Sequence, residues 1–386
     1  MKRPITIGYV TVDDPHDRRT WSGINSFLLR ALEEKAERVV TFGPLRPQPI
    51  LFFCKAFNYL SLRLLGKRFH YRDSFPMARG YARLLRKKIA QTPVDLIVAP
   101  AGLATTALLK TDVPIVYIND RSIAGALDYH KVLSELFAFS RDQSLALERK
   151  ALENAAVTIY SSQWAADAAC ASSPSVKDRI HVVPMGANLL DAPPAPEPRT
   201  FPSSKLKLLF LGVYWEEKGG PIAYQALQEL KRRGVNAELV VCGCTPPPAC
   251  DDPDLVREGF LNKNVPADVD KLVHHLRTAD FLILPTRFEA YGLVFCEAAA
   301  YGLPVLATRT GGIPTIVVDG ETGFLFDMSD DGVAYADRIM QVLARPEQWK
   351  TMRAKARARY ESLLNWEAFT RQLFTYVDEL PRRSVR

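Results

Sequence analysis

The chain has 386 residues, of which 47% are hydrophobic and 24% charged, and its formal net charge is +7. That length allows two domains with separate cores, and the composition is that of a soluble globular protein rather than a disordered or fibrous one. The charge is uneven: ten lysines and arginines face the single acid Asp73 between Lys55 and Lys88, so the remainder is close to neutral and a uniformly basic nucleic-acid binder is disfavoured.

The six cysteines form no CxxC pair and have no histidine partner at zinc spacing. They read as reduced packing residues, which points to a cytoplasmic compartment. Met1-Lys2-Arg3 runs directly into a strand rather than an apolar leader, and no run reaches the ~18 apolar residues of a membrane span. The expectation is a soluble or peripheral protein.

Ile5 to Val12 reads as a first strand, followed by a polar loop and then Ser22-Gly23 ahead of an apolar-periodic helix through Phe27, Leu28, Ala31 and Leu32. A strand, glycine turn and helix in this order can bring backbone N–H groups to a phosphate, although Gly23 is equally explained by turn geometry. It is not the GxGxxG fingerprint, so no dinucleotide cofactor is indicated. Arg38 to Phe42 is a second strand. Ile50 to Ala90 shows helical periodicity in two blocks interleaved with the basic residues. Two readings stand for the segment 55–88: surface helices with a solvated basic face, or a peripheral contact with an anionic membrane.

Strands follow at Leu96–Ala99 and Ile115–Ile118, the second ending in Asn119-Asp120-Arg121-Ser122. Asp120 there can orient a hydroxyl and accept its proton, or cap the segment that follows. Ser140–Ala156 is a helix containing Glu148, and Val157–Ser162 a strand leading to the helix Gln163–Cys170. The stretch Asp191–Ser204 holds five prolines and suits a stiff hinge spacer.

The strand, turn and helix rhythm restarts at Lys207–Val213, where Lys218-Gly219-Gly220 precede the helix Ile222–Lys231. A lysine beside two glycines after a strand suits a phosphate anion. A strand at Glu238–Gly243, a proline-rich loop at Thr245–Asp254 and a helix at Val269–Thr278 lead to the apolar run Phe281–Leu284. The turn Arg287-Phe288-Glu289-Ala290-Tyr291-Gly292 opens the alanine-rich helix Leu293–Tyr301, and a strand from Pro304 to Thr308 ends at Gly311-Gly312. Gly320-Glu321-Thr322-Gly323 reads as a hairpin-like turn, and Gly332–Leu380 as helical. In an open parallel sheet ligands bind at the carboxyl edge of the strands, where both glycine turns should lie together. The helix N-terminus after Gly292 suits a phosphate or pyrophosphate, while Glu289 and Glu297 are better explained as acceptors for hydroxyls on either side of it. That combination suggests a sugar nucleotide.

The run from Pro285-Thr286 through Glu289, Tyr291-Gly292-Leu293, Glu297-Ala298, Gly302-Leu303-Pro304-Val305 and Gly311-Gly312 resembles the donor-site signature of retaining GT-B glycosyltransferases, family 4. Val157–Ser162 and the string Val183-Pro184-Met185-Gly186-Ala187-Asn188 are similar to the same family. The resemblance implies an α/β GT-B fold of two Rossmann-like domains facing a central cleft. Residues 1–195 would form an acceptor-binding domain and 205–365 a nucleotide-sugar donor domain, with a C-terminal helix, 366–386, packing back on the first.

Roles carried over from the family fall on matching positions. Glu289 would contact hydroxyls of the transferred sugar and Glu297 the nucleotide ribose. Lys218 would hold the donor pyrophosphate with an arginine whose position is Val213 here, and Arg287 is the candidate replacement. The backbone of Ala290, Tyr291, Gly292 and Leu293 would face the donor, as would the N-terminal loop, in which Ser22 stands beside Gly23 where the family has two glycines. Leu261 lies where the family cradles the base. A histidine usual near the reacting sugar is replaced by Asp120, with His130 ten residues on, and a common acid is Thr315. The implied catalytic set is Glu289, Lys218 and Asp120, with no cofactor and no metal. Implied partners are a nucleoside-diphosphate sugar and a glycan, glycolipid or small-molecule acceptor, with no nucleic acid. The alternatives are a nucleotide-sugar epimerase on a related fold and an inactive GT-B binding subunit.

Overall fold

The computed structural model describes residues 5–127, 129, 135–202 and 204–380. The chain divides into two compact units, one running to Pro184 and resuming at Phe369, the other Met185–Ala368.

Unit 1 is built on six parallel strands: β1 Thr6–Tyr9, β2 Arg38–Thr41, β3 Leu96–Pro100, β4 Ile115–Asn119, β5 Val157–Tyr160 and β6 Ile180–Val182. Their order is β2-β1-β3-β4-β5-β6. The strands β3 and β5 are buried along their whole length, which is why they read as near-continuous apolar runs. Helices α1 Ile24–Glu33, α2 Ile50–Leu65, α3 Phe75–Gln91, α4 Leu103–Thr106, α5 Ile123–Ala126, α6 Ala138–Asn154 and α7 Gln163–Ser172 supply the crossovers. Met77, Tyr81 and Leu85 of α3 and Leu147, Ala151 and Leu152 of α6 enter the core. In this order the sheet reverses direction between β1 and β3, and the loops leaving that edge are the natural ligand positions.

Unit 2 holds β7 Leu206–Leu211, β8 Ala237–Cys242, β9 Leu255–Gly259, β10 Phe281–Leu284, β11 Val305–Thr308 and β12 Gly323–Phe326, all parallel, in the order β12-β11-β10-β7-β8-β9. Counted within the unit this is the 3-2-1-4-5-6 order of a doubly wound sheet. Its reversal lies between β7 and β10, whose register pairs Leu208 with Phe281 and Leu209 with Leu282. The intervening helices are α8 Gly220–Arg232, α9 Pro266–Thr278, α10 Leu293–Ala300 and α11 Ile313–Ile316. Helices α12 Gly332–Leu343, α13 Pro346–Ser362 and α14 Trp366–Asp378 follow.

Two expectations change. The segment after Gly320 is not a hairpin: Gly323 begins β12, which pairs in parallel with β11. A parallel pair needs a crossover, and α11 provides it. Gly323 is required because a Cβ there would sit 2.2 Å from Val305 O. The strand β9 lacks a clear sequence signal, since an edge strand reading LVREG carries charges that keep an open edge from pairing.

The proline-rich stretch is pinned along unit 2. Arg357 donates to Pro193 O (2.9 Å) and Pro194 O (3.2 Å), Arg199 to Thr278 O (2.6 Å) and to the carboxylate of Asp280, and Phe201 stacks on Trp349 at 4.4 Å. The passage from unit 1 to unit 2 lies upstream of it, at Pro184 and Met185. At the other passage, residues of α14 from Phe369 belong to unit 1, where the Tyr376 ring stacks on His181 of β6 at 3.9 Å. All six cysteines are free. Among the described residues no helix is long and apolar enough to cross a membrane.

Candidate functional site

The two strands that flank the reversal in unit 2 each end in a loop, and the backbone ties these loops together. After β7 the chain turns through Tyr214–Gly219, with Lys218 N donating to Tyr214 O (2.9 Å) and Gly220 N to Trp215 O (2.7 Å). After β10, Arg287 N donates to Glu217 O (2.8 Å), and Thr286 Oγ1 donates to Phe288 O (2.7 Å). Gly219 has φ +77, and a Cβ on it would lie 2.0 Å from Pro285 O, so only glycine allows the loops to approach this closely. The consequence is an ion pair across the reversal. Lys218 Nζ donates to Glu289 Oε2 at 2.8 Å and to Phe288 O at 3.3 Å, with the two side chains 19% and 17% exposed.

The turn then reaches α10 through Gly292, at φ +100, the residue just before the first helical turn. Gly312 N donates to Glu289 O (3.3 Å), so the second glycine turn lies against the first as the sequence suggested. Phe295 N donates to Gly292 O (2.9 Å), and the helix dipole at the α10 N-terminus favours an anion there. Inside α10, Glu297 is almost fully buried and accepts a hydrogen bond from Lys263 Nζ at 2.5 Å. Lys263 lies on the loop between β9 and α9, two residues beyond Leu261. Sequence reasoning missed it, although it is the single lysine between those elements. The neighbouring Cys296 thiol is pushed up to about 12 by burial, so it is a packing group rather than a nucleophile.

In unit 1 the loop before α1 is strained. Trp21 (φ 44) and Ser22 (φ 54) adopt left-handed backbone ahead of Gly23 (φ 89). Trp21 Nε1 donates to Asp120 Oδ2 at 3.0 Å, which joins the loop after β1 to the end of β4. Two regions singled out separately in the sequence therefore meet. Asp120 is not the cap of the next helix: Ser122 Oγ accepts from Gly125 N (3.3 Å) at α5, and Glu148 accepts from Ile123 N (2.6 Å) and Ala124 N (3.3 Å). Burial raises the Glu148 carboxyl to about 7, against the opposing effect of those backbone donors.

The remaining candidates divide by exposure. Ala290, Leu293 and Leu261 are half-buried and Ser22 is exposed. Tyr291 is buried, its hydroxyl donates to Met185 O (2.8 Å), and burial holds its pKa well above the ordinary phenol value. Its side chain is thus a packing anchor. Arg287 Nη2 donates to Met328 O (2.5 Å), and Val213 is exposed. His130 lies outside the described residues.

Part of the chain is similar to a known family, and the whole of it to solved structures. Residues 192–359 match the family described as glycosyl transferases group 1. A D-inositol 3-phosphate glycosyltransferase of Xylanimonas cellulosilytica is 32% identical over 231 residues, 54% of this chain and 54% of that protein. The chain thus spans about half the length of the curated relatives it matches. Among solved structures, sucrose-phosphate synthase from Thermosynechococcus elongatus superposes with a TM-score of 0.66 at 18% identity, covering 98% of this chain and 99% of that one. Anabaena HepE in complex with UDP gives 0.65 at 17% identity, covering 97% and 100%. The chain has the two-domain GT-B fold, and the segment of it that carries Lys218, Glu289, Lys263 and Glu297 is similar to glycosyl transferases group 1.

Proposed function

We propose that this protein is a retaining glycosyltransferase that moves a sugar from a nucleoside diphosphate to an acceptor hydroxyl. The observation that carries the proposal is the pair of lysine-neutralised carboxylates, Lys218 with Glu289 on the turn before α10 and Lys263 with Glu297 within α10. A carboxylate beside a diphosphate is repelled unless a cation stands with it, and here each has one. The donor diphosphate would draw Lys218 and the N–H groups of α10, leaving Glu289 to accept from sugar hydroxyls and Glu297 from the ribose. The family match of residues 192–359 and the UDP bound by the Anabaena neighbour support this reading.

In the reaction the bond from C1 to the diphosphate oxygen breaks with its electron pair leaving on the diphosphate. The acceptor oxygen bonds C1 on the same face, and its proton passes to a base, for which Asp120 is our candidate. The transition state is oxocarbenium-like at the sugar. Lys218 and the helix N-terminus stabilise the departing charge, and no metal is invoked. The acceptor is a hydroxyl of a glycan, glycolipid or small molecule met on the cytoplasmic side, in assembly of polysaccharide or glycolipid.

The test is a panel of labelled UDP, GDP, ADP and TDP sugars, incubated with and without acceptors, with product configuration read by NMR. Transfer with retention is expected from one donor. Clean epimer formation from donor alone, or no binding anywhere on the panel, would overturn the proposal.

A further inference from the structure

Helix α2 is packed inside out. Its buried side chains are Cys54 and Ser61, and half-buried Asn58 between them accepts a hydrogen bond from Phe69 N at 2.9 Å. Ile50 and Leu51 at its start pack on the core, but most of its other apolar residues face solvent. Phe53 is 64% and Leu64 74% exposed, with Phe52, Tyr59, Leu60 and Leu65 exposed beside them. Surface apolar residues scattered singly need no explanation, but this many on one helix form a patch that calls for a partner. The neighbouring basic helix behaves normally: α3 buries Met77, Tyr81 and Leu85 and keeps Arg79, Arg83 and Arg86 in water. The basic segment 55–88 is therefore two different surfaces.

Charge and length together identify what α2 meets. No acidic residue lies between Glu37 and Asp73, while Lys55, Arg63 and Lys67 stand exposed on or beside the apolar face. Arg63 Nη1 donates to Tyr59 OH at 3.1 Å, which sets a guanidinium next to a phenol, the combination suited to a headgroup layer. A protein partner would have to match a face whose charges are all of one sign; an anionic bilayer does so by its nature. Sixteen residues span about 24 Å, short of a hydrocarbon core of about 30 Å, so the helix lies in the interface rather than across it. Beneath it Phe57 packs edge-on to Phe69 (5.2 Å) and Phe137 stacks on Phe139 (5.3 Å), an aromatic base that holds the helix to α6.

We propose that α2 seats the protein on an anionic lipid surface, with Phe52, Phe53, Leu60 and Leu64 in the acyl boundary and Lys55, Arg63 and Lys67 at the headgroup phosphates. The proposal is independent of the transfer reaction, because its readout is binding.

Flotation of the full chain with phosphatidylcholine vesicles and with mixed phosphatidylcholine and phosphatidylglycerol vesicles tests it. At low salt we expect partitioning onto the anionic vesicles about tenfold or more above the neutral ones. The exposed-face variant Phe53→Ser/Leu60→Ser/Leu64→Ser should lose binding to both. Lys55→Glu/Arg63→Glu should lose the anionic preference, and Arg79→Glu/Arg83→Glu on α3 should stay within about twofold of wild type. A wild-type chain that floats with neither vesicle, or a triple variant that floats equally well, overturns the proposal. So does a dimer in gel filtration that the triple variant disperses while no flotation occurs, since the face would then belong to a second copy.

Discussion

Lys263 reaches Glu297 across 34 positions of sequence and ties a loop at the edge of unit 2 to the middle of the buried helix α10. Removing one member of a buried pair costs about 3–5 kcal/mol, but the lysine is 44% exposed and water shares the burden, so Lys263→Met should cost about 1–2 kcal/mol. Glu297→Gln in the same chain should recover most of that loss. Urea unfolding of the four members of the cycle checks this, and losses that simply add would show that the pair is uncoupled.

Glu289→Gln keeps the size of the side chain and removes its charge. Under the proposed chemistry it should lower transfer by about 100-fold or more through lost positioning and electrostatics. Nucleoside diphosphate binding, measured by calorimetry, should change by no more than a few-fold. Full activity in this variant would remove Glu289 from its role.

Gly219→Ala tests the contact between the strand-end loops. The new methyl would meet Pro285 O in a backbone region that non-glycine residues enter at a cost of about 1–2 kcal/mol, so a total loss above about 2 kcal/mol is expected. Because the loops must part, Lys218 and Glu289 should separate as well. Unchanged melting together with unchanged nucleotide binding would contradict this account.

Ser22→Gly should act in the opposite direction. Relief of the left-handed serine contributes about 1–2 kcal/mol, whereas the added freedom of glycine in the unfolded chain costs about 0.4–1 kcal/mol, leaving a net gain of roughly 0.5–1 kcal/mol. A rise in melting temperature is the readout; a fall would mean that the serine hydroxyl holds the loop.

Glu148 gives a pH signature. Its folded carboxyl titrates near 7 against an ordinary value of 4.5, so the folded state holds the proton more tightly. That contribution is fully present below 4.5 and is lost as pH rises towards 7, on the order of 3 kcal/mol. In Glu148→Gln the loss should vanish, so the difference in stability between wild type and variant should change across this window. A difference that stays flat from pH 4.5 to 7 would show that the carboxyl is ionised throughout.

The stretch from β10 to β11 was legible because its information is local. Apolar runs, glycine at turns and proline after a helix mark the elements directly, and the loop after β10 carries Glu289, just as the loop after β7 carries Lys218. Lys263 was not legible, since its partner lies beyond a helix and a strand. The bond from Trp21 to Asp120 spans 99 positions and depends on strand order rather than pattern. Helix α2 shows a deeper limit: periodicity finds its stripes but cannot say which stripe is inside, and here Cys54, Asn58 and Ser61 are. The edge strand β9 was missed because charged edges do not look like strands.

The two passages between the units lie next to each other. Ala187 N donates to Leu364 O (2.9 Å), Trp366 Nε1 donates to Asn188 Oδ1 (2.9 Å), and a Cβ on Gly186 would lie 2.3 Å from Trp366 N. Topologically, unit 2 is an insertion in unit 1 with its ends clasped together. During synthesis its whole sequence is complete before Phe369 and the residues after it emerge, so unit 2 can close on itself while unit 1 still waits for its last helix. A chain released just short of Phe369 would therefore carry a finished second unit beside a first one held open.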